Sequence, residues 1–463
     1  MEMGTGKTKV VLDTFGYITT DGLIDGMLVI ARAGVYRNWE KEIHEHMDPE
    51  FVKKLHIGVW KGSSSKRKKM LETFFSIQDR PRVLLMNVES FSTVKDAEHT
   101  AIKFMKESKV LCVIDESTSI KGWNAERTKT IVRISEHATM RRIMTGTPNP
   151  NSPLDLYSQF EFLDPRILGF SSYYAFRARY AVLKTMQVAP DKINDRGERV
   201  PGRTAKIIVA FKNQEELARK IEPYRFRVLK EDCLDLPEKV YETREVEFTK
   251  EQKKFYDDMK NFATTELSED VHVTATSVIT RLLRLHQVLC GHTRDEENVL
   301  RTIPSNRTKV LLETMEEANW NKIIVWCPFI HSITEIVNQL MTLHGPESVV
   351  SYYGGTSSDD RIIAVQRFQE DDRCKFFVGN QQTAGYGITL TAARTMIFYS
   401  NNYNLEERLQ AEDRAHRIGL HHPVTIIDLQ TPESVDVKIV QALRKKLDLV
   451  SLINQDGYRT WLI

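Results

Sequence analysis

Val110-Leu-Cys-Val-Ile-Asp-Glu-Ser-Thr118 is an unbroken apolar run that ends in two carboxylates, Asp115 and Glu116. An apolar run without alternation needs cover on both faces, which is the situation of a strand inside a parallel sheet. Ligands gather at the carboxyl ends of such strands in open α/β sheets. An Asp at that point can hold Mg²⁺, usually through water, and an adjacent Glu can orient or deprotonate an attacking water. Read alone, the same residues also suit an acidic turn closing a strand.

Upstream, Gly4-Thr5-Gly6-Lys7-Thr8 gives the carboxylates a partner. Glycines at 4 and 6 let successive backbone N–H groups turn inward around a phosphate, because they carry no Cβ. The Lys7 ammonium can bridge a β- and a γ-phosphate, and the Thr8 hydroxyl can ligate Mg²⁺. Residues 7–15 read as the helix whose N-terminus favours the anion. The full loop pattern asks for a small residue five positions before Gly6, where Met1 stands, and for a leading strand upstream of residue 1. A glycine turn that happens to precede Lys-Thr is the alternative.

The rhythm around these motifs is that of two α/β lobes. In the first half the apolar runs are 27–31, 83–86, 110–114 and 142–145; in the second, 322–326, 348–352, 374–378, 395–399 and 424–428. Helical patterns over 331–343, 358–370 and 433–447 separate the later runs, as doubly wound lobes require. The expected division is 1–165 for lobe one, 166–300 for a helical and hairpin insert, 301–455 for lobe two, and a tail over 456–463.

Within the insert, 250–263 and 275–290 read as amphipathic helices, and Asn194-Asp-Arg-Gly197 to Pro201-Gly202 as a hairpin turn. The crowd Tyr173, Tyr174, Phe176, Arg177, Arg179 and Tyr180 could stack on nucleic acid, but packing on the lobe is the simpler reading. Arg281, Arg284 and His286 read as one polar helix face. Lys61 to Lys69 is a basic stretch that suits either a solvated helix start or a phosphate-tracking patch.

Two further stretches carry chemistry. Thr145-Gly146-Thr147-Pro148 ends a strand in small hydroxyl residues, which suits a coupling hinge bonded to the acidic site, or a plain Pro-terminated turn. Gln410-Ala-Glu-Asp-Arg414-Ala-His-Arg417-Ile-Gly419 reads as helix, with Arg414 and Arg417 three apart on one face. Two guanidiniums there make a permanently charged clamp for a γ-phosphate. Salt bridges to Glu412 or Asp413 are the competing use.

Composition bounds the rest. At 463 residues the chain needs more than one core. Its 65 Lys+Arg against 63 Asp+Glu leave a net charge of +2, which neither demands nor excludes nucleic acid, since a groove can be basic on a neutral protein. The 5 cysteines form no Cys-x-x-Cys, so neither a zinc site nor a disulfide framework is read, in keeping with a reducing cytoplasm. No signal peptide is read, and no apolar run approaches the roughly 18 residues of a membrane span.

In their order along the chain, Gly-Thr-Gly-Lys-Thr, Asp-Glu-Ser-Thr, Thr-Gly-Thr-Pro and Gln-x-x-x-Arg-x-x-Arg resemble the superfamily-two helicases. They are most similar to the Swi/Snf-type DNA translocases in their compact bacterial and phage forms. Val29-Ile-Ala-Arg32 through Trp39 resembles motif Ia, and Leu85-Met-Asn87-Val-Glu89-Ser90 resembles motif Ib. Gly354-Gly355-Thr356 with Arg361, and Thr383-Ala-Gly385-Tyr-Gly387-Ile-Thr389, resemble the corresponding motifs of lobe two. The sequence departs from that pattern at Ser117-Thr118, where the family usually carries His, and at Thr389, where it usually carries Asn.

The resemblance implies two RecA-like doubly wound parallel-sheet lobes with a mainly helical insert. ATP with Mg²⁺ would sit between the lobes, with Gly4, Thr5, Gly6, Lys7, Thr8 and Gly387 around the nucleotide and Thr8 and Asp115 on the metal. Glu116, Gln410, Arg414 and Arg417 would be catalytic, and Thr145, Gly146 and Thr147 would couple. Arg32, Asn87, Ser90, Gly355 and Thr383 would contact nucleic acid. Duplex DNA, bound without sequence preference, is the implied partner, in the cytoplasm of a bacterial or phage-infected cell. A DNA-binding module with a silent ATP site and an RNA-directed helicase are the alternative readings.

Overall fold

The computed structural model describes residues 1–454 apart from 3, 34, 149–150, 188–191, 194–198, 201–203, 269–274, 295–296, 298 and 385–387. The chain divides into two compact units. The first is built mainly from Met1–Tyr180 with Asn213–Asp235, the second from Ala181–Lys212 with Leu236–Asp448.

In the first unit, β1 (Gly26–Ala31), β2 (His56–Val59), β3 (Arg82–Asn87), β4 (Val110–Asp115) and β5 (Met140–Met144) form one sheet in the order β2-β3-β1-β4-β5. All its pairings are parallel. The absence of alternation in the apolar runs is explained by the cover on both faces. Leu28, Ile30, Leu84, Met86, Cys112 and Ile114 pack on one side with Phe74 and Phe104. Met27, Val29, Val83, Leu85, Leu111 and Val113 pack on the other with Leu12, Phe15, Trp39 and Ile43. Each such aliphatic side chain contributes roughly 1.5–3 kcal/mol on burial. The second group puts helices α1 (Lys7–Thr20) and α2 (Asn38–His46) on the same face, beneath the strands that carry the chemistry.

The second unit begins with a ribbon of β6 (Ala181–Gln187) and, beyond the short pair β7 (Lys192–Ile193) and β8 (Arg199–Val200), β9 (Thr204–Phe211). The hairpin expected here is present, although its turn residues lie outside those described. Next come β10 (Lys239–Glu245), the pair β11 (His292–Arg294) and β12 (Leu300–Thr302), then β13 (Ile323–Trp326), β14 (Val349–Tyr352), β15 (Phe376–Gly379), β16 (Thr395–Phe398) and β17 (Val424–Gln430). Six of these form a sheet in the order β10-β17-β16-β13-β15-β14, again parallel throughout.

Some local expectations differ from the structure. Within 166–300, the stretches 166–180 and 213–235 pack with the first unit, and 181–212 and the part from Leu236 with the second. Strand β10 comes from within that stretch and pairs along its whole length with β17. The run read at 142–145 lies in a strand two residues earlier, Met140–Met144. The aromatic crowd folds as the helix Tyr173–Tyr180 with Phe176 and Tyr180 fully buried, in line with the packing reading, while Tyr174 and Arg179 are exposed. His286 is not on a polar face: it is buried, and its Nε2 meets Ser400 Oγ at 2.5 Å.

Candidate active site

The first unit gathers its chemistry at the carboxyl ends of adjacent strands. Ala31 pairs with Asn87 and Ile30 with Ile114, so Arg32, Asn87 and Asp115 emerge side by side. The loop of Gly4–Thr8 leads into α1 on the covered face. Gly4 and Gly6 have φ of 77° and 83°, a left-handed path that a side chain would strain. Gly6 is the N-cap of α1, so the amides after it open towards the loop. Lys7 Nζ donates to the Glu2 carbonyl at 3.0 Å, and Thr5 Oγ1 donates to the same oxygen at 2.8 Å.

Asp115 is almost completely buried. Its Oδ2 accepts from the indole Nε1 of Trp39 at 3.0 Å and its Oδ1 from the Glu116 amide at 3.0 Å. Burial pushes its carboxyl above the ordinary carboxylate range. The Trp39 hydrogen bond, the Lys7 charge and the Glu116 amide act against that rise. Lys7 and Asp115 are thus within electrostatic reach of each other. Glu116 has φ 49° and ψ 66°, a left-handed conformation that is uncommon for a non-glycine residue and places its side chain past the strand end.

The hinge lies next to this pair. Thr147 N donates to Thr145 Oγ1 at 3.1 Å, closing the turn on itself. A residue the sequence reading passed over, Gln159, bridges Pro148 and Ser117, the residues that follow the hinge and the acidic pair. Its Nε2 donates to the Pro148 carbonyl at 2.6 Å and to the Asp155 carbonyl at 2.8 Å, while its Oε1 accepts from Ser117 Oγ at 2.6 Å.

Ser90 is buried: its hydroxyl donates to Asn87 Oδ1 and accepts from Trp60 Nε1 at 3.0 Å. That hydroxyl therefore orients Asn87 instead of facing outward. Arg32 follows β1 and accepts two turn amides on its carbonyl.

In the second unit the helix over 405–412 ends at Glu412, so Arg414 and Arg417 lie beyond it and not on one helix face. Tight bonds such as Arg414 N to Ala411 O at 3.3 Å replace the helical pattern there. The two guanidiniums still converge. Arg414 donates from Nε to Gln410 O and from Nη1 to Ile388 O, and Arg417 from Nη1 to Ile388 O. Glu412 is not their partner, because it is taken by Arg408 at 2.8 Å and by Lys239 at 2.9 Å. Gln410 is fully buried and donates to Glu406. Thr383 N donates to Asn380 Oδ1 at 3.4 Å, and the Gly355 loop is held by Arg361 Nη2, which donates to the Tyr353 and Gly354 carbonyls. Gly387 lies outside the described residues.

The fold and these sites define a class: a two-sheet α/β chain with a phosphate-type loop and acidic strand end in one unit and an arginine pair in the other. The SNF2-related domain family matches residues 1–294, and the helicase conserved C-terminal domain matches residues 306–419. The chain belongs to the SNF2-related family. It is similar to an uncharacterized ATP-dependent helicase, MG018, of Mycoplasma genitalium, at 25% identity over 97% of this chain and 39% of that protein. It is also similar to the ATP-dependent helicase fft3 of Schizosaccharomyces pombe, at 24% identity over 97% of this chain and 53% of that protein. The chain thus spans between 39% and 53% of the length of these two relatives. A solved structure, the Sulfolobus solfataricus SWI2/SNF2 ATPase core in complex with dsDNA, aligns over 98% of this chain and 88% of its own, at 24% identity and a TM-score of 0.39. Among the described residues no helix is long and apolar enough to cross a membrane.

Proposed function

We propose that the chain is the motor portion of an ATP-dependent DNA translocase. The observation that carries this is the placement of Lys7, in a glycine turn at a helix N-terminus, within electrostatic reach of the buried Asp115 beside Glu116. Family membership supports ATP as the nucleotide.

The residues fit Mg²⁺. Asp115 and Thr8 offer the hard oxygen donors that the ion prefers, and each Asp115 oxygen accepts only one of the hydrogen bonds described, which leaves lone pairs for it. Bound there, the ion would neutralise charge on the phosphates. In this reading the Gly4–Thr8 amides and Lys7 hold the phosphates, and Trp39 keeps the Asp115 carboxylate in one orientation. Glu116 takes the proton of the attacking water. Arg414 and Arg417 leave the Ile388 carbonyl to meet charge developing on the γ-phosphate. Arg32 and Asn87 contact DNA phosphates, which makes binding sequence-independent and salt-sensitive.

The test is steady-state ATP hydrolysis with and without duplex DNA. Hydrolysis is expected to rise severalfold with DNA and to be lost on Lys7→Ala or Glu116→Gln. Turnover by Glu116→Gln at the wild-type rate would remove Glu116 from its role. Equal stimulation by RNA of the same length would favour the RNA-directed reading.

A further inference from the structure

Gln159 lies on the helix Leu156–Leu163 and is fully buried, as is Ser117. The orientation of its amide is fixed by chemistry. The Pro148 and Asp155 carbonyls can only accept, so the NH₂ group must face both of them. The oxygen then faces Ser117, whose hydroxyl must donate to it. Turning the amide over would set one oxygen against two carbonyls. The amide therefore accepts one arrangement of its neighbours and resists others.

Those neighbours are the residues next to the reacting parts. Ser117 follows Glu116, whose left-handed backbone leaves little slack between the two residues. Pro148 follows Thr147. The far side of the hinge is tied to the same helix, since Asp155 accepts from the Asn151 amide at 2.9 Å and the Ser152 amide at 3.3 Å. A displacement of the Thr145–Pro148 turn must either break the Gln159–Pro148 bond or move Gln159 with it. In the second case Ser117, and with it Glu116, follows.

We propose that Gln159 is the positioning residue that transmits movement of the Thr145–Pro148 hinge to Glu116, and so sets how strongly DNA accelerates hydrolysis. This rests on the function proposed above. It concerns coupling and not nucleotide binding, because no atom of this chain of contacts belongs to the phosphate loop.

The experiment compares wild type, Gln159→Leu, Ser117→Ala and the double variant, each assayed for ATP KM and kcat with and without duplex DNA. Melting curves confirm that each variant folds. Gln159→Leu is expected to lower DNA-stimulated kcat about tenfold, within the usual range of coupling between sites, with ATP KM unchanged within about twofold. Ser117→Ala is expected to give part of that loss, and the double variant no more than Gln159→Leu alone, as for residues acting in one chain. Gln159→Glu keeps an acceptor for Ser117 and regains a donor towards Pro148 only when protonated. Its stimulated rate relative to wild type is therefore expected to recover as pH falls. Should Gln159→Leu fail to fold, Ser117→Ala and the Gln159→Glu pH profile decide. Folded variants with wild-type stimulation, losses that add, or a loss confined to KM overturn the relay. A wild-type chain that hydrolyses no ATP overturns the proposed function itself, and the relay with it.

Discussion

Arg414 and Arg417 donate to one and the same backbone oxygen, that of Ile388, at 3.3 Å and 3.4 Å. Two cations resting on one neutral carbonyl are held in place but not neutralised by it. Arg414 is the better anchored: it is buried, bonds Gln410 O as well, and its own carbonyl accepts from Leu390 N at 2.8 Å. Replacing Arg417 with Ala is expected to lower kcat by about a hundredfold or more with little change in ATP KM, the behaviour of a finger felt mainly in the transition state. Arg414→Ala should do the same and also lower the melting temperature. Steady-state kinetics with parallel melting curves separates the two.

The Trp39 indole holds Asp115 below the pKa that burial alone would give it. Trp39→Phe removes that donor, so the carboxyl rises further. Activity that needs ionised Asp115 should then fail at a higher pH on the acid side, with the alkaline limb unchanged. A pH–rate profile whose acid limb does not move would show that Asp115 does not govern it.

Arg408 is buried with Asp428, Asn401 and Glu412 around its guanidinium, and it lies over the Phe398 ring at 3.5 Å. Arg408→Met leaves Asp428 without its guanidinium in the core. Losing one partner of a buried ion pair typically costs about 3–5 kcal/mol. Thermal unfolding should show an earlier transition, while the Lys239–Glu412 pair at 2.9 Å limits the damage at Glu412.

Burial pushes His286 and His292 down to about 4 from an ordinary value of 6.5. The unfolded chain therefore binds more protons than the folded one between these values, and stability must fall as pH drops through that window. Each site contributes on the order of 3 kcal/mol at the acid end. Urea midpoints measured from pH 7 to pH 4 should decline, and His286→Gln should flatten the slope. A slope unchanged by that substitution would place the acid sensitivity elsewhere.

What the sequence revealed follows from local chemistry. Val110–Ile114 could be placed because both faces of that strand are apolar, and Asp115 because it ends the strand. The strand β2 escaped notice because His56-Ile-Gly-Val59 is four residues long and half-exposed at a sheet edge. The strand β10 escaped because Lys239-Val-Tyr-Glu-Thr-Arg-Glu245 is an edge strand with a mostly polar, partly exposed surface. Arg414 and Arg417 were found by their spacing, but the helix assumed for them stops short. Trp39 and Gln159 act on partners 76 and 42 residues away. No local pattern encodes such pairings. The only cue was that a buried indole or amide must find a partner somewhere.

Strand β10 also bears on where the chain can be cut. A fragment beginning at residue 301 looks natural from the spacing of the later motifs. It would strip β17 of its neighbour along Val424–Gln430, expose a sticky sheet edge, and remove the Lys239 and Tyr241 partners of Glu412. Expression of the second unit by itself should therefore start before Leu236, even though that carries along a stretch which the motif map assigns to neither lobe.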